Sequence, residues 1–475
     1  MKTNQRLIIL QPKVRLIDPH INTDDRNTLS PLLNIFETLV VYGKDGMFHG
    51  SLAHKWEVSP DARKWTFHIR KSVSFHHGEK LTSDDVVASI NRILNPDADG
   101  ELATRGIFHG YLGNSIVEKL DDYSLCVSNP DPIADMLDFL VRFPITPRSL
   151  NQELPEKMSG TGPFQLIKHT QDRIEMSAFE NYWGGSPAVK NVIWEAEPDP
   201  QRRVEALFSG QVDLISNFPP ALIGEIQQRK GFSIANIESS ICTVFMCNHT
   251  RGVCSDRRVR QALNYGLDKT ELIQKIMNGA AYPLNGPLTK LHFGYNPETP
   301  VYPCDLNKAR ALLFEAGYPD NLELVLDVPL TLPDEARSLA HHMAEQYQRI
   351  GIHTIVKEFP DRTEYAHIVR NKQIDDACCF DSSPLSTYQV LSDKFHSGLH
   401  GAWWQGYQNR KVDELIDQAR STPDNSKRQT LYHNVYQLLN EDAPWIFLHN
   451  PVLLWGIGPN AQGWQPNYQG LILLN

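Results

Sequence analysis

SLAHKWEVSPDARKWTFHIRKSVSFHHGEKLTSDDVVASINRI, residues 51–93, changes its hydrophobic period partway along. Trp65, Phe67 and Ile69 alternate with polar neighbours, the pattern of a half-buried strand. Thr82 then marks a helix start, with Asp85 at the N3 position of a capping box and Val86, Val87, Ile90 and Ile93 as the apolar stripe. The switch from strand to helix recurs downstream. Val204, Leu207 and Phe208 predict a short helix ended by Gly210, and the strand VDLIS (212–216) follows. Ser255 is expected to cap a helix carrying Val259, Ala262 and Leu263, and Asp268 with Glu271 forms a second capping box. Asp305 starts a helix that Gly317 and Pro319 stop. Pro333 opens another through Leu339, Met343, Tyr347 and Ile350, with Gly351 at its end, and Ile352–Phe359 reads as a strand. This cadence implies crossover units and mixed sheets, hence an α/β chain of several lobes.

Length and charge narrow the functional classes. The 475 residues suffice for roughly two to four domains. A formal net charge of −10, from 46 basic and 56 acidic residues, argues against nucleic acid or an anionic membrane as the main partner. No run approaches the roughly 18 apolar residues of a membrane span. The N-terminus, MKTNQRLIILQPKV, offers only Leu7–Leu10 as an apolar stretch, short of the ~7–15 of a secretory core. The chain is therefore cytoplasmic, or its signal peptide lies outside this sequence. Seven cysteines (126, 242, 247, 254, 304, 378 and 379) include no CxxC pair and read as small buried apolar residues. A Cys242–Cys254 or Cys247–Cys254 bridge would need an oxidising compartment. No GxSxG, HExxH, phosphate-binding loop or dinucleotide fingerprint occurs, so neither an enzyme nor a resident cofactor is expected. His76–His77 with Glu79 and His341–His342 lack the spacing of a metal site.

Four stretches carry a resemblance. They are residues 51–93; SGTGPFQLIKH (159–169) with AFENYWGGSPAVKNVIW (178–194); VFMCNHTRGVCSDRRVRQALNYGLDKTELI (244–273); and NRKVDELIDQARSTPDNSKRQTLYHNVYQLLNEDAPWIFLHN (409–450). In this order they resemble the family 5 extracytoplasmic solute-binding proteins of ABC transporters, the dipeptide-, oligopeptide- and nickel-binding group. Packing and turns account for most of these residues: Gly160, Thr161 and Gly162 read as a tight turn before Pro163, and Leu431, Val435, Leu438 and Leu439 as a helix stripe.

The resemblance implies a periplasmic-binding-protein-like fold of two α/β lobes joined by hinge crossings. Lobe I would hold 1–243 and 452–475, with an extra subdomain at about 45–158, and lobe II 244–451. A solute would sit between the lobes and shift an open–closed equilibrium through its contacts with the closed state. The implied function is a receptor that captures a small peptide-like or amino-acid-derived solute and delivers it to a membrane permease. It would be a periplasmic monomer. An intracellular ligand sensor on the same scaffold and a nickel-type metal-chelate receptor are the alternatives.

Candidate ligand contacts follow from the same matches. In peptide-binding relatives the loop matching CCFDSSPLSTY (378–388) carries an Asp that pairs with the ligand's α-ammonium group, and Asp381 is the matching carboxylate, with Ser382 and Ser383 adding hydrogen bonds. Those relatives place the Asp four residues before the proline, whereas Asp381 stands three before Pro384. An Asx-turn at Asp381 is the structural alternative. Trp403 and Trp404, in the Gly-bracketed SGLHGAWWQGYQN (397–409), are expected at the ligand, Trp404 foremost. Asn248 could reach it from a strand end. Thr23, Asp24 and Leu32 are candidate contacts from lobe I; Arg362 and Tyr365 are candidates near the strand end at Phe359, where an Arg would suit an anionic end of the ligand.

Overall fold

The Lys64–Ile69 strand buries Trp65, Phe67 and Ile69, and its alternation is the one read from the sequence. A computed structural model describes residues 6–21, 26–94, 112–331 and 333–474 of this chain. By internal contacts the chain divides into two units, Met1–Ile237 with Leu453–Asn475, and Glu238–Val452.

In the first unit the strand order is Leu214–Ser216, Arg6–Gln11, Asn191–Ala196, Arg173–Ala178 and Phe164–His169. The first three run parallel and the last two return antiparallel. Leu7, Ile9, Leu32, Phe36, Trp194 and Trp455 form its core. A separate antiparallel sheet orders Ala53–Val58, Lys64–Ile69, Ser124–Ser128 and Ile116–Asp121. Helix Ser83–Leu94 packs on it. Only half of the expected capping box forms there: the Asp85 carboxylate accepts from the Thr82 amide at 2.9 Å and also takes the Thr82 hydroxyl at 3.1 Å.

SGTG bends before Pro163 as expected, but its glycines are not there for a left-handed conformation. Neither Gly160 nor Gly162 has a positive φ. Both lie against the backbone of Asn34–Phe36, and Gly162 donates its amide to the Ile35 carbonyl at 2.9 Å. Glu37 follows directly and accepts from Trp183 Nε1 at 2.8 Å and the Tyr182 hydroxyl at 2.9 Å. Burial pushes the Glu37 carboxyl up to about 6, against the pull of these donors. The folded chain therefore holds this proton more tightly than the unfolded chain does, and raising the pH from below 4.5 to above 6 is expected to cost about 2 kcal/mol of stability. Glu37→Gln should lose that increment, which urea titrations of both proteins at pH 4.5 and pH 7 would measure.

In the second unit the order is Ile352–Phe359, Leu322–Pro329, Ala377–Ser382, Cys242–Cys247 and the first part of strand Trp445–Ile457, paired from Trp445 to His449. The first three are parallel and the last two antiparallel to their neighbours. Helix Ala336–Gln348 covers one face with Leu339, Met343 and Tyr347 in the core, and Gly351 follows at φ 82°. Asp305 caps its helix as expected, accepting from the Lys308 amide. Three local readings need correction. Asp256, not Ser255, caps helix Arg257–Tyr265, because the helix begins one residue later than expected and the Asp256 carboxylate accepts from the Arg258 amide. Asp268 caps helix Lys269–Met277, but its own amide goes to Gln346 while Glu271 pairs with Lys275. In helix Asn425–Asp442 the buried stripe is Tyr432, Val435, Tyr436 and Leu439, with Leu431 and Leu438 at its margin. The aromatic tyrosines turn the helix away from the purely aliphatic stripe.

Candidate site at the carboxyl end of the second sheet

Three parallel strands of the second unit end together at Pro329, Phe359 and Ser382. Chain leaving the carboxyl ends of parallel strands is the usual place for a ligand in an α/β sheet. Asp381 is the penultimate residue of its strand and half-buried. Its Oδ1 accepts from the Thr243 hydroxyl at 2.7 Å. Thr243 is opposite Asp381 on one side and His449 on the other, so the three side chains form a polar row across the sheet. His449 is sealed from solvent, 3.6 Å from the Glu335 carboxylate.

The chain beyond Asp381 is anchored by backbone. Ser240 donates to the Ser383 carbonyl at 2.7 Å, and His292 Nε2 to the Pro384 carbonyl at 2.8 Å. Burial pulls the His292 pKa down to about 4, so the ring is neutral, with Nδ1 accepting from the Thr289 amide. Ser382 is 1% exposed and its hydroxyl has no hydrogen-bond partner among the described residues. The cap of the next helix, Thr387–Lys394, is Ser386, which accepts from the Gln389 amide.

Strand alternation sends Phe380 to the opposite face from Asp381. There its ring meets Trp403, centroids 5.0 Å apart. Phe380 is also the residue four positions before Pro384. The loop bearing the tryptophans is tied down at several points. Lys372 Nζ donates to the Gly401 and Ala402 carbonyls at 3.1 and 2.7 Å, and Gln405 Nε2 to the Val369 carbonyl at 2.8 Å. Trp404 donates Nε1 to the Tyr407 carbonyl at 2.7 Å and stacks on His400 at 4.7 Å. Gly401 lies so close to Asp393 that a Cβ would sit 2.2 Å from its carbonyl oxygen. Burial pulls the Lys372 ammonium down to about 8, with Asp393 opposing the drop and Arg370 adding to it.

The structure thus brings Asp381, Ser382, Ser383 and Trp403 to one end of one sheet, with Arg362 opening the helix that follows Phe359. Two further candidates of the second unit are buried and used within the fold. Asn248 lies past the far end of the Cys242–Cys247 strand, five residues and about 16 Å from Thr243. Its amide is used on the Ile374 carbonyl and its carbonyl on Thr250. Tyr365 is a core residue, its hydroxyl bonded to the Asp327 and Cys379 carbonyls. Leu32 is fully buried in the first unit's core. Thr23 and Asp24 lie outside the described residues. Thr243, Phe380 and Lys372 were not singled out from sequence. A threonine in an apolar strand, CTVFMC, was the available signal for the first.

Comparisons with known proteins add the context. Residues 48–395 match the family model described as bacterial extracellular solute-binding proteins, family 5. The dipeptide-binding protein of Escherichia coli is 25% identical over 442 residues, covering 87% of this chain and 83% of that protein. Heme-binding protein A of Haemophilus influenzae is 27% identical over 472 residues, covering 90% and 84%. Among solved structures, NikA from Brucella suis in complex with Fe(III)-EDTA superposes with a TM-score of 0.87 at 22% identity, covering 99% of this chain and 98% of that one. Among the described residues no helix is long and apolar enough to cross a membrane.

Proposed function

Because this chain belongs to family 5 of the bacterial extracellular solute-binding proteins, we propose that it is the receptor of an ABC importer for a small peptide-like or amino-acid-derived solute. It works outside the cytoplasm, as a monomer, and passes the solute unaltered to a membrane permease. Asp381 provides a charge for the solute's ammonium group, Ser383 and Arg362 add polar contacts, and Trp403 offers an aromatic wall beside Phe380. Burial of aromatic faces supplies affinity, and the few polar groups fix orientation. The observation that carries this reading is Asp381, held by Thr243 at the carboxyl end of three parallel strands.

Relatives named for dipeptides and for heme share the family, so the ligand needs a direct test. Calorimetry with the dipeptide Met-Leu, N-acetyl-Met-Leu, glutathione, heme and Fe(III)-EDTA should give a Kd of about 1 μM or tighter, about −8 kcal/mol, for Met-Leu or glutathione. N-Acetylation should weaken binding. Binding of heme or Fe(III)-EDTA alone would overturn the amino-acid-derived reading.

A further inference from the structure

Two residues beside the tryptophan loop adopt a backbone conformation that costs energy. Lys372, just past helix Arg362–Arg370, has φ 61°, and His400, inside the loop, has φ 49°. A left-handed position after a helix normally takes glycine, and other residues are held there only where the surroundings over-determine them. At Lys372 the surroundings are known. The left-handed turn aims its ammonium at two successive carbonyls, Gly401 and Ala402, directly before Trp403. Glycine would relax the backbone but could not reach the loop. His400 spends its strain on the stack against Trp404.

We propose that Lys372 is a positioning residue, retained at a glycine-like site in order to hold the 399–406 loop so that Trp403 stands against Phe380 ready for the solute. This rests on the receptor reading above. The loop's other ties are mostly local or at its far end: Leu399 donates its amide to the His396 carbonyl, Trp404 to the Gly401 carbonyl, and Gln405 is held at both its side chain and its carbonyl, so the two Lys372 contacts are the side-chain hydrogen bonds that reach its first half from another element. Freed of them, Trp403 would sample many orientations, and a solute would have to order it on binding.

Lys372→Gly is the informative variant, because it removes the clamp and the strain together and so folds. Lys372→Met removes the clamp and keeps the strain, and Lys372→Arg keeps the charge. Amide exchange over residues 399–406 should be about tenfold faster in the Gly and Met variants and restored in the Arg variant. Met-Leu affinity should fall about tenfold in step. Unchanged loop exchange in Lys372→Gly would overturn the clamp. Faster exchange with unchanged Met-Leu affinity would overturn its service to the ligand. A wild-type protein that ignores Met-Leu would count against the peptide reading of the receptor, and the exchange data alone would still decide the clamp.

Discussion

Gly160→Ala should destabilise the protein by about 4 kcal/mol or more, beyond the range of ordinary substitutions. A Cβ at Gly160 would lie 2.0 Å from the Ile35 carbonyl oxygen, 2.7 Å from its carbon and 2.9 Å from Phe36 Cα. All three are backbone atoms between fully buried side chains, so no rotamer change relieves the clash. The loop cannot retreat either. Gly160 accepts from the His76 amide at 2.9 Å, and the His76 ring bridges the two glycines, accepting from the Gly160 amide and donating Nε2 to the Gly162 carbonyl. Burial pulls the His76 pKa down to about 4, which keeps the neutral tautomer that this bridge requires. Gly224→Ala is the control, because nothing lies within 4 Å of its added carbon. Urea unfolding should separate the two by several kcal/mol. A Gly160→Ala protein within 1 kcal/mol of wild type would refute the close-approach account.

That loop also shows what the sequence could and could not convey. Elements with strong local signals were legible: the 2-residue period of Trp65–Ile69, the Asp305 cap and the glycine stop at Gly351 all appear where the pattern put them. Local signals failed where another group competed for the same role. Ser255 sits in the turn Val253–Ser255 that precedes the helix, so Asp256 takes the cap, and Glu271 left Asp268 for Lys275. The two glycines of SGTG look like a turn in one dimension. Their cause, the backbone of Asn34–Phe36, lies more than a hundred residues away.

The candidate site divides along the same line. Asp381 is singled out through the family resemblance, and the two tryptophans by their glycine-bracketed loop with Trp404 foremost; Asp381 and Trp403 lie at the carboxyl end of the second sheet. Their partners, Thr243, Phe380 and Lys372, depend on strand register and on a chain crossing. Asn248 shows the reverse error. It looked like a strand-end ligand group, but a strand has two ends, and the polarity of the Cys242–Cys247 strand puts Asn248 at the wrong one.

Asp381→Asn should lower affinity for a solute with a free ammonium group roughly a hundredfold, about 2.7 kcal/mol. The substitution is chosen because Asn keeps an oxygen for the Thr243 hydroxyl, so the local fold has little reason to move. What it removes is the charge. A half-buried carboxylate facing an ammonium makes a charge-assisted bond, stronger than its neutral counterpart, and a neutral amide cannot balance the solute's charge once water is excluded. The effect should therefore depend on the ligand: large for Met-Leu, small for N-acetyl-Met-Leu, which has no ammonium to lose. Thr243→Val should act in the same direction but more weakly, since it removes one hydrogen bond from the carboxylate without neutralising it. Equal losses for the two peptides would mean that Asp381 shapes the strand end without reading charge. An unchanged affinity for Met-Leu would leave it with no part in binding, and the solute's charge would have to be met by other residues.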